Sequence, residues 1–346
     1  MRRMSRERRI YQVLGAFALI AFAAALASCG GGEEPYVRES YLMGTKAIVT
    51  IYGMDPGAAD SAAAAGIREM HRVESILSTW REDSDLSRLN ASPGGEPVRV
   101  PPEVIDVLAQ AYAFSELTGG AFDVTARPLV RLWGFQGGEA ALPSDEAIEA
   151  ARQLVGWRKI SFDTEASTVT LLGGATVDVA GIGKGYAVDR CAEILREHGV
   201  RRALVNLGGN MYAIGTPPGR KGWTIGIRDP ESGTRMIGRL VIRDEGVSTS
   251  GNYENFVTID GKRYGHIIDP RTGHTVDHVL AVTAVAATAT AADAFSTAMF
   301  VLGPEDARAV VTADPSVRAV FSLPGGGCRA IGDFGGRLEM ETSCGR

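Results

Sequence analysis

Apolar residues recur at three- and four-residue steps in several segments of the chain, which is the spacing of a helix that buries one face. In the first of these segments the apolar positions are Ile67, Met70, Val73 and Leu77. The last is unusually rich in alanine. The pattern predicts helices over residues 56–80, 103–118, 144–155 and 288–302, and a further helix through Val188, Cys191, Ile194 and Leu195.

Shorter stretches alternate between apolar and polar residues, as half-buried strands do. They predict strands over residues 40–53, 159–163, 168–178, 203–207, 211–215, 222–228, 236–243, 246–250, 255–260 and 280–286. Many of them follow one another without an intervening helix, which favours antiparallel sheets. We therefore predict an α+β fold with mixed, largely antiparallel sheets flanked by helices, as one large domain or two closely packed lobes over residues 40–346.

The first 28 residues have the composition of an export signal. Five arginines among the first nine residues precede an apolar run over residues 13–27, and this run is shorter than the roughly 18 or more apolar residues of a membrane span. The sequence Leu26-Ala27-Ser28-Cys29 resembles a bacterial lipobox. The resemblance implies cleavage before Cys29 and lipidation of its thiol, with residues 29–39 as a lipidated tether.

We therefore expect an exported bacterial lipoprotein that is anchored to a membrane through Cys29 and faces the periplasm or the cell exterior. The alternative is an ordinary secretory signal followed by an incidental cysteine. Disulfides can form in exported proteins, and Cys328 and Cys344 flank a segment short enough to be bridged. Cys191 lies on the apolar side of its predicted helix, where we expect a buried thiol.

The net charge of the chain limits which kinds of molecule it can bind. The formal net charge is −5, and loss of residues 1–28, with five Arg and one Glu, changes it to −9. Because proteins bind nucleic acids through clustered Lys and Arg, we expect no nucleic acid partner. The sequence has neither a Cys-x-x-Cys motif nor a His/Cys cluster that would suggest zinc.

The stretch from Asp178 to Asp189 carries the first candidate chemistry. It has glycines at positions 181, 183 and 185 with Lys184 among them, between a predicted strand and a predicted helix. Backbone N–H groups at a helix N-terminus favour an anion, and glycines let that anion approach the backbone. The stretch is therefore a candidate phosphate site, although its spacing matches neither common nucleotide-binding motif. A tight turn with a solvated lysine is the alternative.

Further candidates follow along the chain. Asp293 and Thr297 are one helical turn apart on an otherwise apolar face, where their oxygens could bind Mg²⁺ or close a hydrogen bond within the helix. His266 precedes Asp269 in a loop punctuated by proline and glycine, and this histidine is either structural or catalytic. The aromatic residues from Phe122 to Phe135 are either core or the wall of a pocket for a planar ligand.

Together these pieces resemble the ApbE family of FAD:protein FMN transferases. The resemblance runs from about residue 40 to about residue 340, through an ordered set of short blocks. These are Met43-Gly44-Thr45, residues 120–123, Asp178 to Asp189, Asn206-Leu207-Gly208-Gly209, Thr249-Ser250-Gly251, residues 266–270, Thr272-Gly273, Ala292-Asp293 and Ser296-Thr297. It implies magnesium-dependent transfer of FMN from FAD to a threonine hydroxyl of an acceptor flavoprotein, such as a redox-pump subunit, with release of AMP.

The resemblance also implies residue roles by matching position. His266 would assist removal of the proton from the acceptor threonine. Gly181, through its carbonyl, would bind Mg²⁺ with Asp293 and Thr297, and Ser296 would lie beside them. The FAD site would be lined by Met43, Trp80, Ala121, Phe122, Asp123, Asp178, Lys184 and Ile268. This chain departs from the common family pattern at Val179, Ala180, Gly183 and Ser248, the last in place of a common alanine.

Two other functions remain open at this stage. The same metal and phosphate groups would serve an FAD pyrophosphatase that gives FMN and AMP, with water in place of the threonine. A non-catalytic exported flavin-binding lipoprotein is the third hypothesis, and it would need neither Asp293, Thr297 nor His266.

Overall fold

The computed structural model describes residues 33–341 apart from residues 93, 137–140, 233–234 and 254. The described residues from Tyr36 onward belong to one compact unit. Its helices are α1 (Pro56–Leu77), α2 (Asp85–Asn90), α3 (Pro102–Leu117), α4 (Arg127–Leu132), α5 (Asp145–Arg152), α6 (Gly183–Glu197), α7 (Ala289–Asp306) and α8 (Arg308–Ala313), with a 3₁₀ turn at Trp157–Lys159. The strands are β1 (Tyr36–Leu42), β2 (Thr45–Ile51), β3 (Val98–Arg99), β4 (Ile160–Asp163), β5 (Thr168–Leu171), β6 (Ala203–Leu207), β7 (Asn210–Ile214), β8 (Trp223–Arg228), β9 (Met236–Ile242), β10 (Gly246–Gly251), β11 (Phe256–Ile259), β12 (Lys262–Gly265), β13 (Ala281–Ala286), β14 (Arg318–Leu323), β15 (Gly327–Ile331) and β16 (Leu338–Met340).

An eight-stranded sheet lies at the centre, in the order β1-β2-β6-β7-β10-β13-β14-β15. Every neighbouring pair in it is antiparallel. Smaller sheets have the orders β16-β9-β8, β3-β5-β4 and β11-β12. The predicted α+β class with largely antiparallel sheets is confirmed.

Different elements pack against the two faces of the central sheet. On one face α1, α6 and α7 bury an apolar cluster that includes Ala47, Val49, Val205 and Leu207. On the other, the sheet of β8, β9 and β16 packs over Ala213, Val247 and Val285. Side chains alternate between the two faces of a strand. Val247 lies on the face of β10 that packs on the small sheet, so Ser248 and Ser250 lie on the opposite face and point toward α7.

Helices α6 and α7 pack closely at their N-termini. The carboxylate of Asp189, on α6, accepts hydrogen bonds from the main-chain N–H groups of Ala289 and Thr290, both at 2.8 Å. It therefore caps α7 from a neighbouring helix. A Cβ on Gly185 would lie only 2.3 Å from the carbonyl oxygen of Ala289. The close approach thus requires glycine at this position.

A separate apolar cluster supports the loop that carries His266. It joins α4, α5 and the β11–β12 hairpin through Leu129, Trp133, Ile148, Ile259 and Ile268. The indole N–H of Trp133 donates to the carbonyl of Gly273 at 2.9 Å. The loop after β12 is thereby attached to the segment that follows Phe122.

Two strand predictions were wrong in extent. Residues 40–53 were expected to form one strand, but the chain turns at Met43 and Gly44, which both have positive φ, and β1 pairs with β2 as a hairpin. Residues 168–178 were expected to be extended throughout, but β5 ends at Leu171, before Gly173 and Gly174 with φ of 60° and 72°. The glycine stretch therefore follows irregular backbone and not a strand.

The cysteine predictions have different outcomes. Cys191 is a buried free thiol, as predicted. Cys328 is disulfide-bonded, whereas Cys344, its predicted partner, lies outside the described residues. The export signal and Cys29 lie outside them as well. Within the described part of the chain, no helix is both long enough and apolar enough to cross a membrane.

Candidate active site

The carboxylate of Asp293 lies against the first turn of α6. Its Oδ2 accepts a 2.9 Å hydrogen bond from the main-chain N–H of Gly185, and its Oδ1 is 3.4 Å from the hydroxyl of Ser248. The residue is only 4% exposed. Burial raises the pKa of Asp293 above its usual value, and the positive charge of Lys184 opposes this rise.

The other predicted metal ligands lie beside this carboxylate. The hydroxyl of Ser296 donates to the carbonyl of Asp293 at 2.9 Å, and the hydroxyl of Thr297 lies 3.3 Å from the same carbonyl oxygen. A Cβ built on Gly181 would be 3.4 Å from Oγ1 of Thr297 and 3.1 Å from the ring of Phe122. The structure thus brings the turn at Gly181 close to the hydroxyl one helical turn after Asp293.

This group of atoms fits a hard cation. Mg²⁺ prefers oxygen ligands and completes its shell with waters or phosphate oxygens. Here a buried carboxylate, the hydroxyl of Thr297 and the peptide of Gly181 supply such oxygens, and a buried anion requires a compensating positive charge. In the described residues no three His, Cys, Asp or Glu side chains are grouped as metal ligands. The donor atoms described here are all oxygens, which suit a hard cation better than zinc.

His266 follows β12 directly and lies near Lys184. Its Nδ1 is 3.0 Å from the carbonyl oxygen of Asn255, and its ring meets that of Phe135 edge to face at 6.4 Å. Burial lowers the pKa of His266, and the charge of Lys184 lowers it further. If Nδ1–H donates to Asn255, the neutral ring keeps Nε2 as a proton acceptor.

Asp178 joins several parts of the predicted FAD site. It accepts hydrogen bonds from the hydroxyl of Thr79 at 3.3 Å, from the side-chain amide of Gln136, and from the N–H of Ala180 at 2.9 Å. Trp80, which follows Thr79, is 74% exposed. These bonds place the exposed indole at the same end of the site as the glycine turn.

Met43 lies at the tip of the β1–β2 hairpin. Its main-chain N–H donates to Oε1 of Glu74 at 2.6 Å, which fixes the hairpin against the last turns of α1. Its side chain is half-buried. Met43 and Trp80 therefore both belong to the region around the C-terminus of α1.

The remaining predicted FAD residues are buried. Asp123 accepts hydrogen bonds from the N–H and hydroxyl of Thr125, at 2.8 and 2.6 Å, and from the N–H of Trp157 at 3.0 Å. Burial raises the pKa of its carboxyl. Both of its oxygens thus hold protein backbone together. Ala121 and Ile268 are core residues, whereas the ring of Phe122 reaches the turn at Gly181.

Sequence reasoning missed several polar residues around these groups. Thr79 and Gln136 hold Asp178, Asn210 lies 2.7 Å from Ser248, and Ser250 contacts Ser296 and Thr297. For the serines a signal was present, since alternation in β10 places Ser248 and Ser250 on one face. Gln136 had no such signal, because its contact spans 42 residues of sequence.

A cavity lies beside the site, away from these residues. It has a volume of about 430 Å³ and is lined by Phe256, Arg263, Tyr264 and Val276, among others, beside the β11–β12 hairpin. None of the predicted site residues lines it. The candidate site is therefore defined by its polar contacts and not by this cavity.

Comparison with known proteins identifies the family of this chain. A model of the ApbE family matches residues 43–321. The FAD:protein FMN transferase of Treponema pallidum (strain Nichols) is 37% identical, over 93% of this chain and 94% of the relative. That of Escherichia coli (strain K12) is 33% identical, over 85% and 88%.

Two solved structures are similar in fold and sequence. The ApbE protein of Thermotoga maritima has a TM-score of 0.79 at 35% identity and covers 86% of this chain and 97% of its own. The apo flavinyl transferase ApbE of Pseudomonas stutzeri has a TM-score of 0.77 at 32% identity and covers 87% and 95%. With a family model that spans most of its length and relatives above 30% identity, this chain belongs to the ApbE family.

Proposed function

We propose that this protein transfers FMN from FAD to a threonine hydroxyl of an acceptor flavoprotein, in a magnesium-dependent reaction that releases AMP. Its relatives are named FAD:protein FMN transferase. The observation that carries the proposal is the buried carboxylate of Asp293, which lies against the first turn of α6 with Thr297 and Lys184 nearby. A site that merely held a flavin ring would not need this arrangement.

The reaction replaces the phosphoanhydride bond of FAD by a phosphoester bond to the acceptor. The acceptor oxygen attacks the phosphorus of the FMN half, the bond between this phosphorus and the bridging oxygen breaks, and AMP leaves with that oxygen. Asp293, Thr297 and the carbonyl of Gly181 would hold Mg²⁺. The bound cation would neutralise negative charge on the phosphates of FAD. Lys184 and the N-terminus of α6 supply further positive charge for the phosphates.

His266 is the group proposed to take the hydroxyl proton. Its lowered pKa keeps the imidazole neutral at pH 7, so that it can act as a base. Asn255 fixes one ring nitrogen through its carbonyl, which leaves the other for the acceptor. General base catalysis of this kind contributes typically about 10²–10⁴-fold.

The flavin would bind where apolar and polar groups meet. Trp80 offers an exposed indole, Met43 a half-buried thioether side chain, and Phe122 a ring edge at the glycine turn. Asp178 is hydrogen-bonded to Thr79, the residue before Trp80, and supplies a carboxylate. Ala121, Asp123 and Ile268 would support this wall from behind, because their side chains are buried.

The acceptor would be an extracytoplasmic flavoprotein, such as a redox-pump subunit. The family resemblance implies this class. The proposed lipid anchor at Cys29 would place the enzyme in the same compartment, at a membrane and facing the periplasm or the cell exterior. Replacement of Cys29 by Ser should move the protein from the membrane fraction to the soluble exported fraction. An unchanged distribution would contradict the anchor.

One experiment separates the three functions. The mature chain is incubated with FAD and MgCl₂, with and without a co-purified acceptor, and both AMP and covalently bound flavin are measured. We expect AMP to form mainly with acceptor, flavin on a threonine, and loss of both in Asp293→Ala. Equal release of AMP without acceptor would favour the pyrophosphatase, and FAD binding without any AMP would favour a flavin carrier.

A further inference from the structure

Strand β10 and helix α7 present matching hydroxyl and acidic groups to each other. Ser248 and Ser250 are two residues apart on one strand face, about 6.6 Å along the strand. Asp293 and Thr297 are four residues apart on one helix face, about 6 Å along the helix. Because the two spacings agree, each serine lies opposite one proposed ligand, Ser248 opposite Asp293 and Ser250 opposite Thr297.

Ser250 is in contact with two hydroxyls of α7. Its Oγ is 2.8 Å from that of Ser296 and 3.2 Å from Oγ1 of Thr297. Each hydroxyl has one hydrogen to donate. Ser296 donates its own to the carbonyl of Asp293 at 2.9 Å, so Ser250 donates to Ser296, and its oxygen can then accept the hydrogen of Thr297.

This chain of hydrogen bonds has a consequence for metal binding. When Thr297 donates its hydrogen to Ser250, the lone pairs of its oxygen are directed away from Ser250 and are available to a cation. The hydrogen of Thr297 has two acceptors at nearly equal distance, the hydroxyl of Ser250 at 3.2 Å and the carbonyl of Asp293 at 3.3 Å, and without Ser250 only the carbonyl remains. The orientation of the ligand oxygen would then be less well fixed.

Ser248 acts on the carboxylate in a weaker way. It is fully buried, 2.7 Å from Oδ1 of Asn210 and 3.4 Å from Oδ1 of Asp293. Its single hydrogen can serve only one of the two acceptors, and the shorter distance favours Asn210. Ser248 therefore restricts the movement of the Asp293 carboxylate mainly by packing against it, and only weakly by hydrogen bonding.

We propose that Ser250, with a smaller contribution from Ser248, is a positioning residue that orients Thr297 and Asp293 for the cation. This inference rests on the proposed function, because it presumes a metal bound to those ligands. By this inference Ser248 and Ser250 serve the metal site, in addition to any part that they have in holding α7 against the sheet.

The test measures metal binding without turnover. Mn²⁺ is titrated into the mature chain in the absence of FAD and acceptor, and free Mn²⁺ is followed by its EPR signal. Loss of a group that orients a metal ligand typically costs about 10–100-fold in metal affinity. We expect the dissociation constant to rise about tenfold in Ser250→Ala and a few-fold in Ser248→Ala, and to recover in Ser250→Thr, which keeps the hydroxyl.

Thr249→Val is the matched control. Thr249 lies between the two serines but points to the other face, where its hydroxyl is 2.8 Å from that of Thr283 on β13. The substitution removes a hydroxyl from the same strand without touching α7. We expect its Mn²⁺ affinity to stay within twofold of wild type, and the metal-free melting temperatures of Ser250→Ala and Thr249→Val to be similar.

Three outcomes can be told apart. Wild-type affinity in Ser250→Ala, or an equal loss in Thr249→Val, would overturn the role of Ser250. If Asp293→Ala binds Mn²⁺ as wild type does, the metal assignment of the proposed function fails instead. Should Ser250→Ala not fold, Ser248→Ala and Ser250→Thr still decide, because the first should weaken Mn²⁺ binding and the second should preserve it.

Discussion

The main-chain N–H of Gly185 donates a 2.9 Å hydrogen bond to the carboxylate of Asp293. This bond joins the glycine turn before α6 to the acidic residue of α7, two features that are 108 residues apart in the sequence. The helices can approach so closely because Gly185 has no Cβ, and Asp189 caps α7 from the same helix. The candidate phosphate and metal groups are therefore brought together by the contact between two helix N-termini.

Replacement of Gly185 by alanine should separate these helices. The new Cβ would lie 2.3 Å from the carbonyl oxygen of Ala289, which is backbone and cannot turn aside. Overpacking of this kind costs typically about 1–3 kcal/mol. We expect a lower free energy of unfolding in denaturant titration, together with weaker Mg²⁺ dependence of AMP release.

Gly183→Ala is the control for that substitution. Its Cβ would meet only the side chain of Val179, at 3.3 Å, and Gly183 does not have positive φ. Alanine in a helix is favoured over glycine by roughly 0.5–1 kcal/mol. We expect Gly183→Ala to lose much less stability than Gly185→Ala, because the atom that it meets belongs to a side chain, and an equal loss would contradict the role of the helix contact.

In the metal-free protein, the charged carboxylate of Asp293 should lower the free energy of unfolding, although activity requires it. Its folded-state pKa is raised by burial, so above that pKa the folded state holds a charge that the unfolded state accommodates more easily. Asp293→Asn keeps an oxygen for Gly185 but removes the charge. We expect the metal-free variant to melt at a higher temperature than wild type at pH 7, with the difference shrinking as the pH falls toward the unfolded-state pKa.

Metal should reverse this order. Ligands that bind only the folded state stabilise it by mass action, so MgCl₂ should raise the melting temperature of wild type and leave that of Asp293→Asn unchanged. Transfer of FMN should fall by more than about 10²-fold in the variant, because the cation stabilises charge in the reaction. Equal stabilisation of both proteins by MgCl₂ would place the cation elsewhere.

The fold was largely predictable because its elements have local signals. The apolar periodicity of α1 and the alternation of β6 to β10 each specify an element without knowledge of its partners. The hairpin at Met43 and Gly44 was missed because alternation continues across the turn. Pairing order was not predictable, since β2 pairs with β6 across more than 150 residues of intervening sequence.

The site was predictable to a smaller extent. Asp293 and Thr297 could be paired from helical spacing alone, but their place beside Gly181 follows from packing between α6 and α7. Residues that act through others, such as Asp189 and Ser250, carry no motif that separates them from ordinary caps and strand hydroxyls. Their roles depend on which helix lies opposite them, and only the tertiary structure supplies that information.

Trp80 should contribute to flavin binding and little to stability. Its side chain is 74% exposed, so its removal exposes almost no further apolar surface. Aromatic contacts are worth about 0.5–1.5 kcal/mol beyond the area that they bury. We expect Trp80→Ala to weaken FAD binding at least several-fold, measured by flavin fluorescence, with an unfolding free energy within about 0.5 kcal/mol of wild type.

Two further substitutions qualify that result. Trp80→Phe keeps a ring and should recover part of the affinity for FAD. Val37→Ala, at another exposed apolar position on β1, should leave FAD binding unchanged. If Trp80→Ala binds FAD as tightly as wild type, the indole has no part in the flavin site.

The pH dependence of transfer should report the link between Lys184 and His266. Burial and the charge of Lys184 lower the pKa of His266 below its usual value of about 6.5. A base works only when it is unprotonated, so the rate with saturating acceptor should fall on acidification, with a midpoint below pH 6.5. Lys184→Gln removes the positive charge, and the pKa of His266 should then rise and shift the acidic limb to higher pH.

This shift can be separated from the loss of phosphate binding. Lys184→Gln should also lower the rate at every pH. The pH at the midpoint of the acidic limb, however, does not depend on the maximum rate. Lys184→Arg keeps the charge, so its limb should coincide with that of wild type whatever its maximum rate. His266→Gln should remove the acidic limb altogether. An acidic limb of unchanged midpoint in both Lys184→Gln and His266→Gln would assign the titration to a group other than His266.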